Sequence, residues 1–423
     1  MKGFDFADLK LDRSLVEKET FRVFDICDGC RRCINLCPSF NTLLDRLDLV
    51  DSDIKKLTAQ DTQQVVDECY YCKLCFNHCP YTPPHQFDLD FPQLMVTWKR
   101  IYAEERSPSL RDRILIRTDL IGKVGSFLAP LMNWANGNPL IRRLMHTLLG
   151  IHRDRHLVQF QSETFSRWWS RTRTAHGRSA GARQPTGKVA LFSTCTVNYH
   201  CTEIGQATVK VLEKNGVEVV LPEQECCGMP FFDTGDIAMI KKKAEANLRK
   251  LEPWVLQGYD VIAPIPSCSL MLKREYPHLL KSDLAKAVAE RTFDVCEYLM
   301  RMKRQGALNM EFQHRPLKIS YQVPCHLRDQ NIGFKSKELM ELTGASVELV
   351  ERCSGHDGTW GVKVEFFDLS MKIASKAVRQ LSENEPDLFV SDCPLAALQL
   401  DQASGRKTPT LHPIQVIQQA YGL

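Results

Sequence analysis

Two stretches of the chain each carry four cysteines at one spacing: CDGCRRCINLCP at residues 27–38 and CYYCKLCFNHCP at 69–80. In each, three cysteines follow C-x2-C-x2-C, a fourth comes after three further residues, and a proline follows it. Thiolates at this density bind metal. A [4Fe–4S] cube offers four irons, and three sulfurs at this spacing wrap one loop around one of its faces. The fourth sulfur, held extended ahead of its proline, points away from that loop. Where two such runs share a chain, the fourth cysteine of each ligates the other run's cluster. This assigns Cys27, Cys30, Cys33 and Cys79 to one cluster, and Cys69, Cys72, Cys75 and Cys37 to a second. Two structural zinc knuckles are the competing interpretation. Zinc sites usually pair two separated CxxC units around one ion, so the repeated three-plus-one spacing favours iron–sulfur.

Nine of the 17 cysteines lie outside these runs. KVALFSTC (188–195) reads as a strand ending in Cys195, followed by a helix over about 203–215. VEVVLPE (217–223) is a second strand leading into ECCGMP, with Cys226, Cys227 and Gly228. A lysine-rich helix over about 235–250 precedes YDVIAPIPSC (259–268), a third strand ending at Cys268. The order then recurs. LKISYQVPC (317–325) ends in Cys325, and a helix covers about 336–343. ASVELVERCSG (345–355) carries Cys353 and Gly355, a helix covers about 366–382, and PDLFVSDC (386–393) ends at Cys393. This is an internal repeat of two α/β units, each a small parallel sheet with covering helices. Its seven cysteines fall at the carboxyl ends of strands, where sites in such sheets gather. Gly228 and Gly355 mark turns that need a positive φ or a close backbone approach. Cys201 and Cys296 match no pattern and are expected to pack as small apolar residues.

The expected architecture is multidomain α+β. A mostly helical two-cluster ferredoxin-like domain spans 1–105, with residues 41–68 helical between the two runs. A helical, amphipathic connecting segment and linker span 106–187, the basic stretch RTRTAHGRSAGARQPTGK (171–188) reading as exposed linker. Two α/β cysteine-rich repeats span 188–310 and 311–423. A net charge of +4 gives no footprint for nucleic acid. No apolar run is long enough to span a bilayer, and MKGFDFADLKLDRSLVEKET lacks the apolar core of a secretory signal. Seventeen cysteines without an export signal imply a reducing, cytoplasmic compartment. No GxGxxG follows a strand and no phosphate-binding loop is present, so no flavin or nicotinamide is expected in this chain.

The two cysteine runs, ECCGMP, YQVPCHLRDQNIG (321–333), ERCSGHDGTWG (351–361) and SDCPLA (391–396) carry a family resemblance. Together they resemble the iron–sulfur subunits of heterodisulfide reductase, glycolate oxidase and anaerobic glycerol-3-phosphate dehydrogenase (its C subunit), which share the Cys-Cys-Gly domain. The resemblance covers nearly the whole chain. It implies further iron–sulfur clusters in the repeats, in some members of non-cubane type. The family pattern is a lone Cys, a Cys-Cys-Gly turn and a closing Cys-x-x-Cys pair. Here repeat one keeps Cys195, Cys226, Cys227 and Cys268, with Ile265 in place of the first cysteine of the pair. Repeat two keeps Cys325, Cys353 and Cys393; Ser354 replaces the second cysteine of the turn and Ala396 stands where the last would be. Four thiolates suffice for a cluster in repeat one. Three in repeat two need another ligand, such as His326 or His356, an open iron, or ligands pooled between the repeats. The alternative is buried free cysteines left from an ancestral site.

Between these regions, Leu140, Ile141, Leu144, Met145, Leu148 and Leu149 form an apolar stripe at helical period, with Arg142, Arg143 and His146 off it. Trp134, Trp168 and Trp169, with Arg153, Arg155, Arg167 and Arg171, are near in sequence. Such a helix either lies in a membrane interface or packs on a neighbouring domain. The resemblance, whose members include membrane-associated subunits, keeps a peripheral place on the inner face of the membrane open.

The leading expectation is an electron-transfer subunit, an oxidoreductase component more than a stand-alone enzyme. It would take electrons from a flavin-containing dehydrogenase or other redox protein, through two [4Fe–4S] clusters to the repeats, and on to a quinone or other acceptor. Two alternatives stand beside it: an enzyme reducing a disulfide or small substrate at an open iron, and a redox-responsive interaction protein. The crossed ligation has a direct consequence. Cys37→Ser should first damage the cluster held by Cys69, Cys72 and Cys75, followed by paramagnetic resonance; selective loss of the other cluster would reverse the assignment.

Overall fold

The computed structural model describes residues 5–8, 11–176, 185–314 and 316–423. The chain forms two compact units. The first comprises Met1–Ile116 with Pro230–Ile240 and Gly358–Trp360; the second comprises Arg117–Met229, Lys241–Asp357 and Gly361–Leu423.

The first unit is helical. Helices Arg13–Cys30, Pro38–Leu49, Ala59–Asp67 and Phe91–Glu105 turn their apolar faces to one core. Val16, Val23, Phe24, Phe40, Leu43, Leu44, Leu47, Val65, Leu94 and Met95 are buried there around Phe91. Phe91 stacks on Phe40 with ring centroids 4.3 Å apart and on Phe24 at 6.3 Å. Buried polar groups in this core are paired, as burial requires. Trp98 Nε1 donates to Thr20 Oγ1 at 2.8 Å, and Ser39 Oγ donates to the Val65 carbonyl at 2.7 Å. Thr58 and Asp61 form a reciprocal capping box that starts the helix Ala59–Asp67. The two later segments of this unit support the second cysteine run. Tyr71 stacks on Phe232 at 4.5 Å, Tyr70 meets Trp360 at 4.9 Å, and Asp233 accepts from the Thr359 hydroxyl at 2.8 Å.

The second unit holds two parallel sheets of matching topology. Strands β1 (Gly187–Leu191), β2 (Val217–Val220), β3 (Asp260–Ile262) and β4 (Thr292–Phe293) are ordered β2-β1-β3-β4. Strands β5 (Lys318–Gln322), β6 (Ser346–Val350) and β7 (Leu388–Val390) are ordered β6-β5-β7. In both, the first strand of the repeat is central and the second and third flank it. Centrality explains the composition of β1, where Val189, Ala190 and Leu191 are all fully buried without alternation. β4, two residues long, has too short a pattern to be seen in the sequence.

The strands are shorter than their apolar runs predict. Each ends three to seven residues before its cysteines, which sit in the following loop or at a helix start. Two of the helices that follow start at proline: Pro266 and Pro394 open Pro266–Leu270 and Pro394–Ser404, where a missing N–H costs nothing. The linker expected at 171–188 is also revised. Residues 171–176 continue the helix Phe165–His176, Gly187 already belongs to β1, and 177–184 lie outside the described residues.

Phe91 is the best single probe of the first core. Phe91→Ala removes a fully packed ring and should lower that unit's stability by roughly 3–5 kcal/mol, read as a lowered urea midpoint under anaerobic conditions. Leu49→Ala, at an exposed site, should leave the midpoint nearly unchanged.

Candidate iron–sulfur sites

The first run begins inside a helix. Cys27 and Cys30 occupy the last turn of Arg13–Cys30, and Arg31, at φ 48°, closes the helix by donating its N–H to the Cys27 carbonyl. The chain then loops through Cys33 to Cys37, which is extended (φ −152°, ψ 164°) and precedes the helix that Pro38 opens. The second run leaves the helix Ala59–Asp67 at Cys69 and turns twice through positive φ, at Tyr71 and Lys73. A short helix, Leu74–His78, then carries Cys75, and Cys79 caps it in an extended conformation ahead of Pro80. Both prolines thus hold the fourth cysteine extended, as expected.

Two cavities result. Cys27, Cys30, Cys33 and Cys79 line one, with Ile26, Phe40 and Tyr81. Cys37, Cys69, Cys72 and Cys75 line another, with Leu36 and Leu74. Cys75 and Phe91 line both. Burial and the neighbouring Cys33, Cys79 and Cys30 push the Cys27 thiol up strongly. Cys33 is pushed up to about 11 by burial and Cys79, and Cys75 is raised by burial and by Cys37 and Cys69. Thiols this crowded resist ionising together unless a cation enters, which is the environment a cationic iron–sulfide core relieves.

In repeat one, four cysteines come together. Cys195 lies in the helix Thr194–Tyr199, Cys226 and Cys227 in the turn after β2, and Cys268 in the helix Pro266–Leu270. Cys268 Sγ lies 3.2 Å from Cys227 Sγ, and Thr118 Oγ1 lies 3.4 Å from both Cys195 and Cys226 Sγ. The thiol hydrogen bond from Cys195, then that from Cys227, holds Cys226 well below the usual thiol range. Gly228, at φ 96°, makes the turn and points its N–H at Cys226 Sγ, 3.5 Å away. Behind the turn, the Tyr276 hydroxyl donates to the Cys227 carbonyl at 2.9 Å, and Asn247 Nδ2 donates to the Cys226 carbonyl at 3.3 Å. Lys243 pairs with Asp119 at 2.6 Å and reaches Glu225, next to Cys226, at 3.5 Å.

In repeat two, Cys325 opens the helix Cys325–Arg328, Cys353 follows β6, and Cys393 caps the helix Pro394–Ser404. Gln322, buried at the end of β5, ties the three loops together. Its Nε2 donates to the Arg352 carbonyl at 2.9 Å, and its Oε1 accepts from Ser391 Oγ at 2.8 Å. Gly355 has φ 76°, and a Cβ there would lie 2.6 Å from the Ser370 carbonyl, so no other residue fits. Its N–H points at Cys353 Sγ, 3.2 Å away. A charged side chain that sequence reasoning passed over lies beside these thiols. Asp357 Oδ2 lies 3.6 Å from Cys353 Sγ and Oδ1 lies 3.9 Å from Cys325 Sγ. The two histidines considered as ligands are placed otherwise. His326 Nδ1 meets Ser267 Oγ at 2.8 Å, and His356 is buried, its pKa pulled down to about 3 by burial and then by Arg155.

The helices bearing Cys268 and Cys325 also touch. Gln330 Nε2 donates to the Pro266 carbonyl at 3.1 Å and to Ser269 Oγ at 2.8 Å. Cys201 is half-buried, and burial pushes its thiol up to about 12. Cys296 is fully buried beside Asp294 and Asp392, the one set of three such donors among the described residues lying within 4.8 Å of one another. Thr118, Asn247, Tyr276 and Lys243 had no signature in sequence, because each reaches its site from another part of the chain, whereas Gln322 lies three residues before Cys325 in YQVPCHLRDQNIG. Asp357 did have a signal, lying two residues beyond Gly355 in the ERCSGHDGTWG motif.

Comparison with known families accords with this organisation. The Fer4-like domain of citrate utilization protein B matches residues 20–104, and the cysteine-rich domain matches twice, at 189–273 and 319–401. The chain is 31% identical over 319 residues to the C subunit of anaerobic glycerol-3-phosphate dehydrogenase from Escherichia coli K12, covering 74% of this chain and 78% of that protein. It is 31% identical over 219 residues to lactate utilization protein A of Geobacillus thermodenitrificans, covering 49% of this chain and 87% of that protein. The B subunit of fumarate reductase (CoM/CoB) from Methanothermobacter marburgensis is 28% identical over 229 residues, covering 52% of this chain and 42% of that protein. With one Fer4-like domain and two copies of the cysteine-rich domain, the chain belongs to the family of iron–sulfur proteins that includes the C subunit of anaerobic glycerol-3-phosphate dehydrogenase.

Proposed function

We propose that this chain is an electron-transfer subunit, taking electrons from a flavin-bearing dehydrogenase and delivering them to a quinone or similar acceptor. The observation that carries this reading is the pair of adjoining cysteine-lined cavities that share Cys75 and Phe91 as a common wall. Two adjoining sites suit one-electron exchange between them, which is the chemistry [4Fe–4S] clusters supply when bound. The relatives support it in coarser form, since they include a named dehydrogenase subunit and a named reductase subunit. In the crossed assignment, Cys27, Cys30, Cys33 and Cys79 hold one cluster and Cys37, Cys69, Cys72 and Cys75 the other. The apolar walls, Ile26, Phe40 and Phe91 among them, limit the sulfurs' exposure and so bear on the potential. In repeat one, Thr118 and the Gly228 N–H stand ready to donate to sulfur, a further lever on potential.

A membrane face accords with delivery to a quinone. No described helix is long and apolar enough to cross a membrane. However, the helix Pro139–Leu149 presents Leu140, Leu144 and Leu148 outward, and the preceding helices leave Phe127, Leu131 and Trp134 exposed. Its one inward arginine, Arg142, is buried and donates to the carbonyls of His152, Arg153 and Arg155. Those bonds lock the apolar side outward. Arg155 is no part of a basic surface, being buried against Gln399 and Ser370.

Two experiments test this reading. Anaerobically prepared protein should hold more than the roughly eight irons of two cubanes, and Cys226→Ser should lose only the excess. Eight irons in both proteins would confine metal to the first unit. In flotation with anionic phospholipid vesicles at low salt, the native chain should rise with the vesicles and the Leu144→Glu, Leu148→Glu variant should not. A native chain that stays at the bottom of the gradient removes the membrane face.

A further inference from the structure

We infer that Asp357 supplies the fourth anionic ligand of a metal cluster in repeat two, so that the two repeats hold clusters of different ligation, all-thiolate in the first and mixed thiolate–carboxylate in the second. This rests on the reading of the repeats as cluster sites. The repeats share a topology, so their donors correspond. Cys195 and Cys226 match Cys325 and Cys353 by position after the equivalent strands, and each repeat keeps one cysteine of the closing pair, Cys268 where repeat two has Ala396 and Cys393 where repeat one has Ile265. Cys227 has no such counterpart, because Ser354 takes its place in the turn. A neutral hydroxyl leaves repeat two one negative charge short.

Asp357 restores that charge at the right place. It is three residues beyond Ser354, and its two carboxylate oxygens lie 3.6 Å from Cys353 Sγ and 3.9 Å from Cys325 Sγ. The backbone brings it there by an irregular route. Gly355 and Asp357 both have positive φ, 76° and 38°, so the chain doubles back toward the sulfur it has just passed. Aspartate is among the few side chains that accept such a backbone. The turn is anchored from behind, where Ser370 Oγ donates to the Gly355 carbonyl at 2.6 Å and Arg155 donates to Ser370 Oγ at 2.7 Å. A carboxylate facing two thiols across less than 4 Å is an unfavourable grouping of anions unless a proton or a cation lies between them. His326 Nδ1 is engaged by Ser267 Oγ at 2.8 Å. Oxygen is a harder ligand than sulfur, so an iron held by Asp357 would differ from its all-thiolate counterparts.

The test uses the full-length, anaerobically prepared protein, with iron counted per chain and paramagnetic resonance followed through a redox titration. Three variants are compared: Cys353→Ser, Asp357→Asn and Asp357→Cys. Asparagine keeps the shape and tolerates the backbone at this position, which guards against simple misfolding. Asp357→Asn is expected to lose as much iron as Cys353→Ser, while Asp357→Cys keeps its iron and shows an altered spectrum and a shifted potential for one centre only. If Cys353→Ser loses iron but Asp357→Asn and Asp357→Cys match the native protein in iron and spectrum, Asp357 is not a ligand and the cluster site itself stands. If Cys353→Ser loses none either, repeat two holds no cluster and the assignment falls with it.

Discussion

Thiols gathered in a buried space oppose one another's ionisation, and this constraint organises the whole protein. Burial, and then neighbouring thiols, raise Cys27, Cys33 and Cys75 in the first unit; in the second, hydrogen bonding with Cys226 and then burial or further thiol hydrogen bonds raise Cys195 and Cys227, and burial with Asp357 raises Cys325. Such a set can become fully anionic only when a compensating positive charge enters. The fold must therefore gather the sulfurs before that charge arrives. It does so with positive-φ turns at Arg31, Tyr71, Lys73, Gly228 and Gly355, and with prolines that hold the preceding cysteine extended.

The two repeats meet this constraint with one topology and two chemistries. Each sheet places its first strand centrally and sends three loops to one end, where the cysteines collect. The loops are braced differently. In repeat one, Asn247 and Tyr276 hold the carbonyls of Cys226 and Cys227 from helices behind the turn. In repeat two, Gln322 braces all three loops from the end of the central strand. Having Ser354 where repeat one has Cys227 changes the donor set without changing the turn, because Gly228 and Gly355 keep the same left-handed conformation.

Buried charge also shapes the exposed apolar face. Arg142 lies on the same helix as Leu140, Leu144 and Leu148 but is only 5% exposed, against 73%, 57% and 69% for the leucines. An amphipathic helix ordinarily buries its apolar side. Here three backbone carbonyls satisfy the guanidinium inside, and the leucines are left to the surface. Periodicity reveals that a helix has two faces but does not say which of them a folded protein turns inward.

Residue spacing by itself determined the two cysteine runs and the doubled strand–helix order of the second half. These are local or periodic features, set by the reach of a short loop and by the few backbone angles open to a residue beside proline or glycine. The strand ends were not legible, because apolar residues continue past the last ladder hydrogen bond into the loops that carry the cysteines. Tertiary structure alone decided which side chains surround the sulfurs. Thr118 reaches Cys226 across 108 positions of sequence, and Asp119 reaches Lys243 across 124. Asp357 is near its cysteines in sequence, yet it faces them only because the chain reverses at two positive-φ residues. Spacing thus specifies how many sulfurs a loop can offer, while the charges and hydrogen-bond donors that tune them come from whatever the fold packs against that loop.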